Sequence, residues 1–273
     1  MNQTEKAEKF LNLHKEGTFI LPNAWDVASA CVLVDVGYEA IATTSGGCAF
    51  SMGFCDGENI GREGMAEVVG RIARNVNIPV SADMEAGYGP LPEDVAKTVK
   101  AALDAGVVGV NIEDSIKIGR RRLYNFEIAV ERIRSARISA DQYGIPAVIN
   151  ARTDGYTLGG DEDMFDETVR RANAYLEAGA NCAFVIGVRD GALIQRLVSS
   201  VDGAVNILAG PGTPPISELK RIGVRRVTVG GNLAKAAYTL VMKAAKEMKF
   251  DGTYNFAAGI YSQAEMHRMI KGE

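Results

Sequence analysis

The stretch PVSADMEAGYGPLPEDVAKTVKAALDAGVVGVNI, residues 79–112, decides the fold. It opens with a short apolar run, 79–84, of the kind that is buried on both faces of a parallel sheet. Pro92 stands where the first turn of a helix tolerates it, helical periodicity runs over 92–105, and Gly106 sits where a helix ends. A second apolar run, 107–112, follows at once. Strand, loop, helix and strand within ~30 residues is one β-α-β unit. The same pattern recurs outward in both directions. Further strand-like runs occupy 18–24, 40–45, 146–151, 182–186, 204–209 and 226–229, and helical periodicity marks 63–75, 126–143, 164–178 and 190–200.

Eight strand-helix units predict an α/β protein with a (β/α)8 TIM-type barrel. No G-x-G-x-x-G follows the first strand, which argues against a dinucleotide-binding doubly wound sheet. Residues 233–248 read as the closing helix. Residues 253–270 read as a C-terminal helical extension, whose Phe256, Ile260, Tyr261, Met266 and Met269 call for a surface to cover. No linker divides the chain, so 1–273 is expected to be a single barrel domain.

The 273 residues are 47% hydrophobic and carry a net charge of −4, which leaves no basic footprint for nucleic acid or an anionic membrane. No apolar run reaches the ~18 residues of a membrane helix. The charged N-terminal segment MNQTEKAEKF is unlike a secretory leader, and the four cysteines form no CxxC pair, so a soluble cytoplasmic protein is expected. The two histidines, His14 and His267, lie near the chain ends. Chemistry in the middle of the chain must therefore use carboxylates, hydroxyls, Arg, backbone amides or a hard cation rather than zinc.

Barrel enzymes carry their reactive groups at the C-terminal ends of the strands. Those ends hold Asn23 and Trp25, Thr44-Ser45-Gly46-Gly47, Asp83 and Glu85, Glu113, Arg152 and Asp154, Asn206, and Gly230-Gly231. Asp56, Asp83, Glu85 and Glu113 are expected to share one rim, where so many acids repel one another unless a cation relieves them. Mg2+ suits oxygen ligands best, with Mn2+ as a substitute. Ser45 with the Gly46 and Gly47 amides suits a carboxylate or oxyanion, and Arg152 supplies a fork for a second bidentate contact. The cations Lys117, Arg120, Arg121 and Arg122 could cover an anionic substrate, and the glycines at 210–212 and 230–231 leave a phosphate site open.

The segments NAWD (23–26), ATTSGG (42–47), DGE (56–58), SADMEAGYG (81–89), NIEDS (111–115) and NARTD (150–154) come in the order found in the isocitrate lyase/phosphoenolpyruvate mutase superfamily. NILAGPGTPPISELKRIGVRRVTVGG (206–231) resembles its small bacterial mutase-like and methylisocitrate lyase-like members. The resemblance implies a barrel whose last helix is exchanged between subunits, in homodimers or homotetramers. It also implies Mg2+ and a small carboxylate substrate with a pyruvyl or oxaloacetyl unit. Asp83 resembles the direct metal ligand, and Asp56, Glu85 and Glu113 resemble acids that reach the metal through water. Glu85 stands where most members have Asp. Ser45, Gly46, Gly47 and Arg152 resemble the substrate cradle, with Trp25 and Asn206 beside it, and Ser45, Arg152 and Glu113 are the expected catalytic set. The loop 115–123 has neither the Cys nor the His of the lyase members, Thr43 replaces the Trp of true mutases, and Ile186-Gly187 stand where many members have His or Glu. The expected activity is C–C cleavage or decarboxylation of a small α-keto or 2-hydroxy dicarboxylate. The alternatives are a phosphonomutase, a non-catalytic oxalate-binding barrel and an unrelated phosphosugar-type barrel.

Overall fold

The computed structural model describes residues 1–117, 121–158 and 164–272. All eight expected strands are present. They are β1 (Phe19–Leu21) with β2 (Asn23–Ala24), β3 (Ile41–Thr43), β4 (Val80–Asp83), β5 (Gly109–Glu113), β8 (Val148–Thr153), β9 (Cys182–Val185), β10 (Val205–Leu208) and β11 (Arg226–Thr228). Neighbours in the ring are parallel, in the order β1-β11-β10-β9-β8-β5-β4-β3-β2. The first stave closes the ring. Its β1 half pairs with β11 and its β2 half with β3, with Pro22 between them. Pro22 has no N–H to give, but its carbonyl accepts from the Ala42 N–H at 2.8 Å. The result is a TIM-type barrel.

The helices α4 (Gly61–Asn75), α5 (Pro92–Asp104), α6 (Phe126–Tyr143), α8 (Met164–Glu177) and α9 (Gly191–Ser200) fall where periodicity predicts them. Each buries one stripe against the strands. Met65, Val69 and Ile72 of α4 and Val95, Val99 and Leu103 of α5 join Val80, Ala82 and Val110 in one core. Burying each large aliphatic chain is worth ~1.5–3 kcal/mol, which is how alternating strands and amphipathic helices select this architecture.

The charged leading segment forms α1 (Gln3–Leu13), opened by an Asn2/Glu5 capping box. Its Ala7 and Phe10 plug the bottom of the barrel against Leu21, Ala42, Val108 and Val148. A Cβ on Gly109 would stand 2.7 Å from the Phe10 ring, so glycine there lets the plug seat. The closing helix is α11 (Asn232–Lys246). The extension is helical only at its ends, as a short turn at Asn255–Ala257 and α12 (Gln263–Lys271). α12 lies on α2 (Val27–Asp35), where Arg268 Nη2 donates to Asp35 Oδ2 at 2.9 Å. Leu240, Val241, Met242, Phe250, Ile260 and Tyr261 stay exposed on α11 and the extension. No helix among the described residues is long and apolar enough to cross a membrane.

Candidate active site

A cavity of about 250 Å³ opens at the C-terminal ends of the strands. Ser45, Gly46, Gly47, Asp56, Asp83 and Arg152 line it, with Asn23 and Asn111 among their neighbours. Lys235, from the first turn of α11, joins them at its edge.

Ser45-Gly46-Gly47 is not the strand-to-loop turn that the run 40–45 predicts. It is the first turn of a short helix, α3 (Ser45–Ser51), with Thr44 as its N-cap. The Ser45 N–H donates to Asp83 Oδ2 at 3.1 Å, which fixes the cradle to β4. The Gly46 and Gly47 N–H groups belong to the turn whose donors find no partner inside a helix. Glycine is required at 47, because a Cβ there would stand 2.6 Å from Trp25 Cβ and 2.8 Å from Thr44 Cγ2. Trp25 thus packs behind the cradle, and is not among the residues that line the cavity.

The four acids expected to share a cation are only partly gathered. Asp83 and Asp56 line the cavity, and the Asp56 carboxylate lies against Gly46, 3.3 Å from where a Cβ would be. Asp83 also accepts from Asn111 Nδ2 at 2.9 Å, and Asn150 Nδ2 donates to Asn111 Oδ1 at 2.8 Å, so a chain of amides from two further strands aims its carboxylate. Glu85 and Glu113 sit behind the cavity wall in hydrogen bonds of their own. Glu85 accepts from the Glu58 N–H at 2.7 Å, while Glu58 accepts from the Tyr88 N–H at 2.6 Å. Glu58, Glu85 and Tyr88 all take positive φ, of 68°, 49° and 54°. Non-glycine residues so placed each cost ~1–3 kcal/mol, and this reciprocal clasp between two loops is what holds them there. Burial, reinforced by Asp56, Asp83 and Glu113, pushes the Glu85 carboxyl up to about 8 against the pull of the Glu58 N–H.

Among the described residues no three His, Cys, Asp or Glu side chains close on one point. That excludes a zinc-type cage but suits Mg2+, which keeps several waters and needs only one or two carboxylates. Asp83 and Asp56 offer those oxygens on the cavity wall, so the donor set fits.

Arg152 lies on β8 between two acids. Its Nη1 donates to Glu113 Oε2 at 2.8 Å and its Nε to Asp154 Oδ1 at 2.7 Å. Three of the five guanidinium N–H groups remain for the cavity. Lys117 and Arg121 are both engaged with acids of the rim. They flank a small hairpin, β6 (Ser115–Ile116) with β7 (Arg122–Leu123), and pair with Glu113 and Asp154 respectively. Arg120 lies outside the described residues. The charges therefore alternate as Lys117, Glu113, Arg152, Asp154, Arg121. Burial raises the Glu113 carboxyl while Arg152 and Lys117 oppose it. For Asp154 burial acts upward too, but Arg152 and Arg121 outweigh it and hold the carboxyl below its ordinary range.

The expected phosphate site is already engaged. The Val229 and Gly230 N–H groups donate to Asn23 Oδ1 at 3.0 and 2.8 Å, and the Gly210 N–H donates to Thr213 Oγ1 at 3.1 Å. Asn206 lies fully buried in the barrel interior, accepting from Thr228 Oγ1 at 3.3 Å. Sequence reasoning missed Lys235, Asn111 and Arg226, all of which line the cavity. For Asn111 and Arg226 the signal was present, as polar residues inside apolar strands.

The family model described as phosphoenolpyruvate phosphomutase matches residues 10–249. An uncharacterised protein of Mycobacterium tuberculosis is 35% identical over 222 residues, 81% of each chain. The 2,3-dimethylmalate lyase of Eubacterium barkeri is 30% identical over 240 residues, 82% of this chain and 78% of that one. A crystal structure from Burkholderia cenocepacia J2315, described provisionally as a lyase/mutase, superposes with a TM-score of 0.92 at 38% identity, covering 97% of this chain and 96% of the other. The family match over most of the chain, the relatives' identity and the shared fold agree: the chain belongs to the phosphoenolpyruvate phosphomutase family, within the isocitrate lyase/phosphoenolpyruvate mutase superfamily.

Proposed function

We propose that the protein is a Mg2+-dependent lyase that cleaves or decarboxylates a small α-keto or 2-hydroxy dicarboxylate by way of a pyruvate enolate. The observation that carries this reading is the meeting of Arg152, the Ser45-Gly46-Gly47 turn and Asp83 on one cavity sized for a small acid. Arg152 takes the substrate carboxylate with its remaining N–H groups. The Ser45 hydroxyl and the Gly46 and Gly47 amides face the keto oxygen, where negative charge grows as the C–C bond breaks. Preorganised donors of this kind stabilise a developing oxyanion, each worth ~10²–10³-fold in rate. When bound by Asp83 and Asp56, Mg2+ supplies Lewis-acid stabilisation of that same charge. In decarboxylation the bonding pair moves onto the enolate as CO2 leaves, and water returns a proton to carbon. That route needs no loop Cys or His.

A phosphonomutase is the second reading, favoured by the description of the matching family. The two separate in a combined proton and phosphorus NMR time course with Mg2+, oxaloacetate, methylisocitrate and phosphonopyruvate. Pyruvate formed above both a metal-chelated control and a protein-free control with the same Mg2+ is the expected result. Conversion of the phosphonate signal into a phosphate ester would install the mutase instead, and silence on all three would exclude these three substrates and leave either another small acid or a binding barrel.

The exposed apolar face of α11 and the extension fits a second copy of this chain, in a homodimer or homotetramer with exchanged C-terminal helices. Sedimentation of the purified protein is expected to give at least the dimer mass. A monomer at micromolar concentration would remove the exchange.

A further inference from the structure

The cavity does not end at the cradle. Below it, between the Phe10 plug and the substrate site, stands Arg226 on β11, 2% exposed and lining the cavity. Its guanidinium lies 5.9 Å from the Phe10 ring centroid. Among the described residues its Nε and Nη1 have no hydrogen-bond partner, and no carboxylate forms an ion pair with it. Asp83 is the one carboxylate whose charge is felt at Arg226 among the described residues, and it is already held by the Ser45 N–H and Asn111. Asn206 Nδ2 and Ser81 Oγ, from two other strands, are also buried without partners. Asn206 and Arg226 stand in register across β10 and β11, and Arg152 belongs to the same row through Phe184.

Unpartnered donors thus collect where a buried cation has no counter-charge. A buried guanidinium is tolerated when paired, and a carboxylate provides both the charge and several acceptor sites. We propose that the barrel floor is a second anion subsite, in which Arg226 and Ser81 Oγ, both lining the cavity, take the distal acidic group of the substrate while Arg152 holds the first carboxylate, with Asn206 packed beside Arg226 on the next strand. The inference deepens the lyase reading and rests on it for the first carboxylate. It restricts the substrate to a dianion whose second acidic group points down the barrel axis.

The test compares 2-oxoglutarate with 2-oxovalerate, which share a five-carbon 2-oxo chain and differ in the terminal carboxylate. Neither has a group that leaves from carbon 3, so neither is consumed by the proposed chemistry. Calorimetry with Mg2+ on the wild-type protein is expected to show the diacid binding at least tenfold more tightly. Arg226→Met fills the same volume without charge. It is expected to erase that preference while oxovalerate binds as before and the melting temperature holds or rises, because an unpaired buried charge has gone. Arg226→Lys is expected to restore part of the preference. Equal affinities in the wild type, or a preference untouched by Arg226→Met, would overturn the subsite and leave water as the only occupant. Turnover in the NMR assay is read separately. Catalysis without diacid preference sinks the subsite alone, and diacid preference without catalysis sinks only the lyase on the substrates assayed.

Discussion

Asp83→Ala is expected to abolish Mg2+-dependent binding of oxalate, an enolate mimic, and to lower turnover by ~10³-fold or more. The carboxylate has two tasks. It offers the cavity a hard oxygen for the cation, and it anchors the Ser45 amide at 3.1 Å. Alanine removes both, so a loss of binding alone would not separate them. Asp83→Asn does, because its amide oxygen can still accept from the Ser45 N–H, its NH2 can donate to Asn111 once the Asn111 and Asn150 amides turn over, and it carries no charge. The asparagine variant is therefore expected to melt like the wild type and to lose the difference in oxalate affinity between Mg2+ and chelator. Retention of that difference in Asp83→Asn would take the cation away from this carboxylate.

The barrel was legible in sequence because a strand buried on both faces has few polar residues, and because glycines such as Gly106 and Gly144 stop the helices at the right places. The start of α3 was not. Its first turn is Ser-Gly-Gly, poor helix formers, and it continues an apolar run without a break. α1 carried a readable signal in the Asn2–Glu5 spacing of a capping box, masked by the charge of the segment. The site acids were legible as residue types, but their partners were not. Nothing in the order Asp-Met-Glu says that Glu85 takes a left-handed backbone and turns to the Glu58 N–H, while Asp83 faces the cavity. Nor does a row of basic residues reveal that Lys117 and Arg121 pair with acids of the rim. Tertiary pairing decides between such readings, and it joins residues far apart in the chain. The polar strand positions are the instructive case. Asn111, Asn150, Asn206 and Arg226 interrupt apolar runs: Asn111 and Arg226 line the cavity, while Asn150 hydrogen-bonds Asn111 and Asn206 accepts from Thr228.

Arg152→Met is expected to do the greatest combined damage, to stability as well as to activity. The guanidinium is mostly buried between Glu113 and Asp154, and their charges outweigh the cost of burial and raise its affinity for its proton above the ordinary value. Taking one partner from a buried charge network costs ~3–5 kcal/mol, because the remaining charges are left uncompensated. Lys117 and Arg121 offset part of that for Glu113 and Asp154, so the lower end of the range is expected. The deficit should depend on pH. Asp154 is held below its ordinary range by Arg152, so in the wild type it contributes stability above that range and loses it as pH falls. Without Arg152 both acids hold their protons to higher pH in the folded state than in the unfolded chain, and the folded variant then loses stability as pH rises. The gap in melting temperature between variant and wild type should therefore be widest near pH 8 and narrow towards pH 5. A gap independent of pH would mean that the acids do not depend on Arg152 for their charge. Arg152→Lys completes the case. Lysine keeps the charge but not the fork, so it can serve Glu113 or Asp154 but not both while also reaching the substrate. Most of the stability should return, whereas binding of a small carboxylate should stay weakened by ~10–100-fold, the worth of a charged hydrogen bond at ~1.5–3 kcal/mol. Full recovery of both in the lysine variant would make Arg152 a structural counter-ion for the rim acids and hand the substrate carboxylate to Ser45, Gly46 and Gly47 alone.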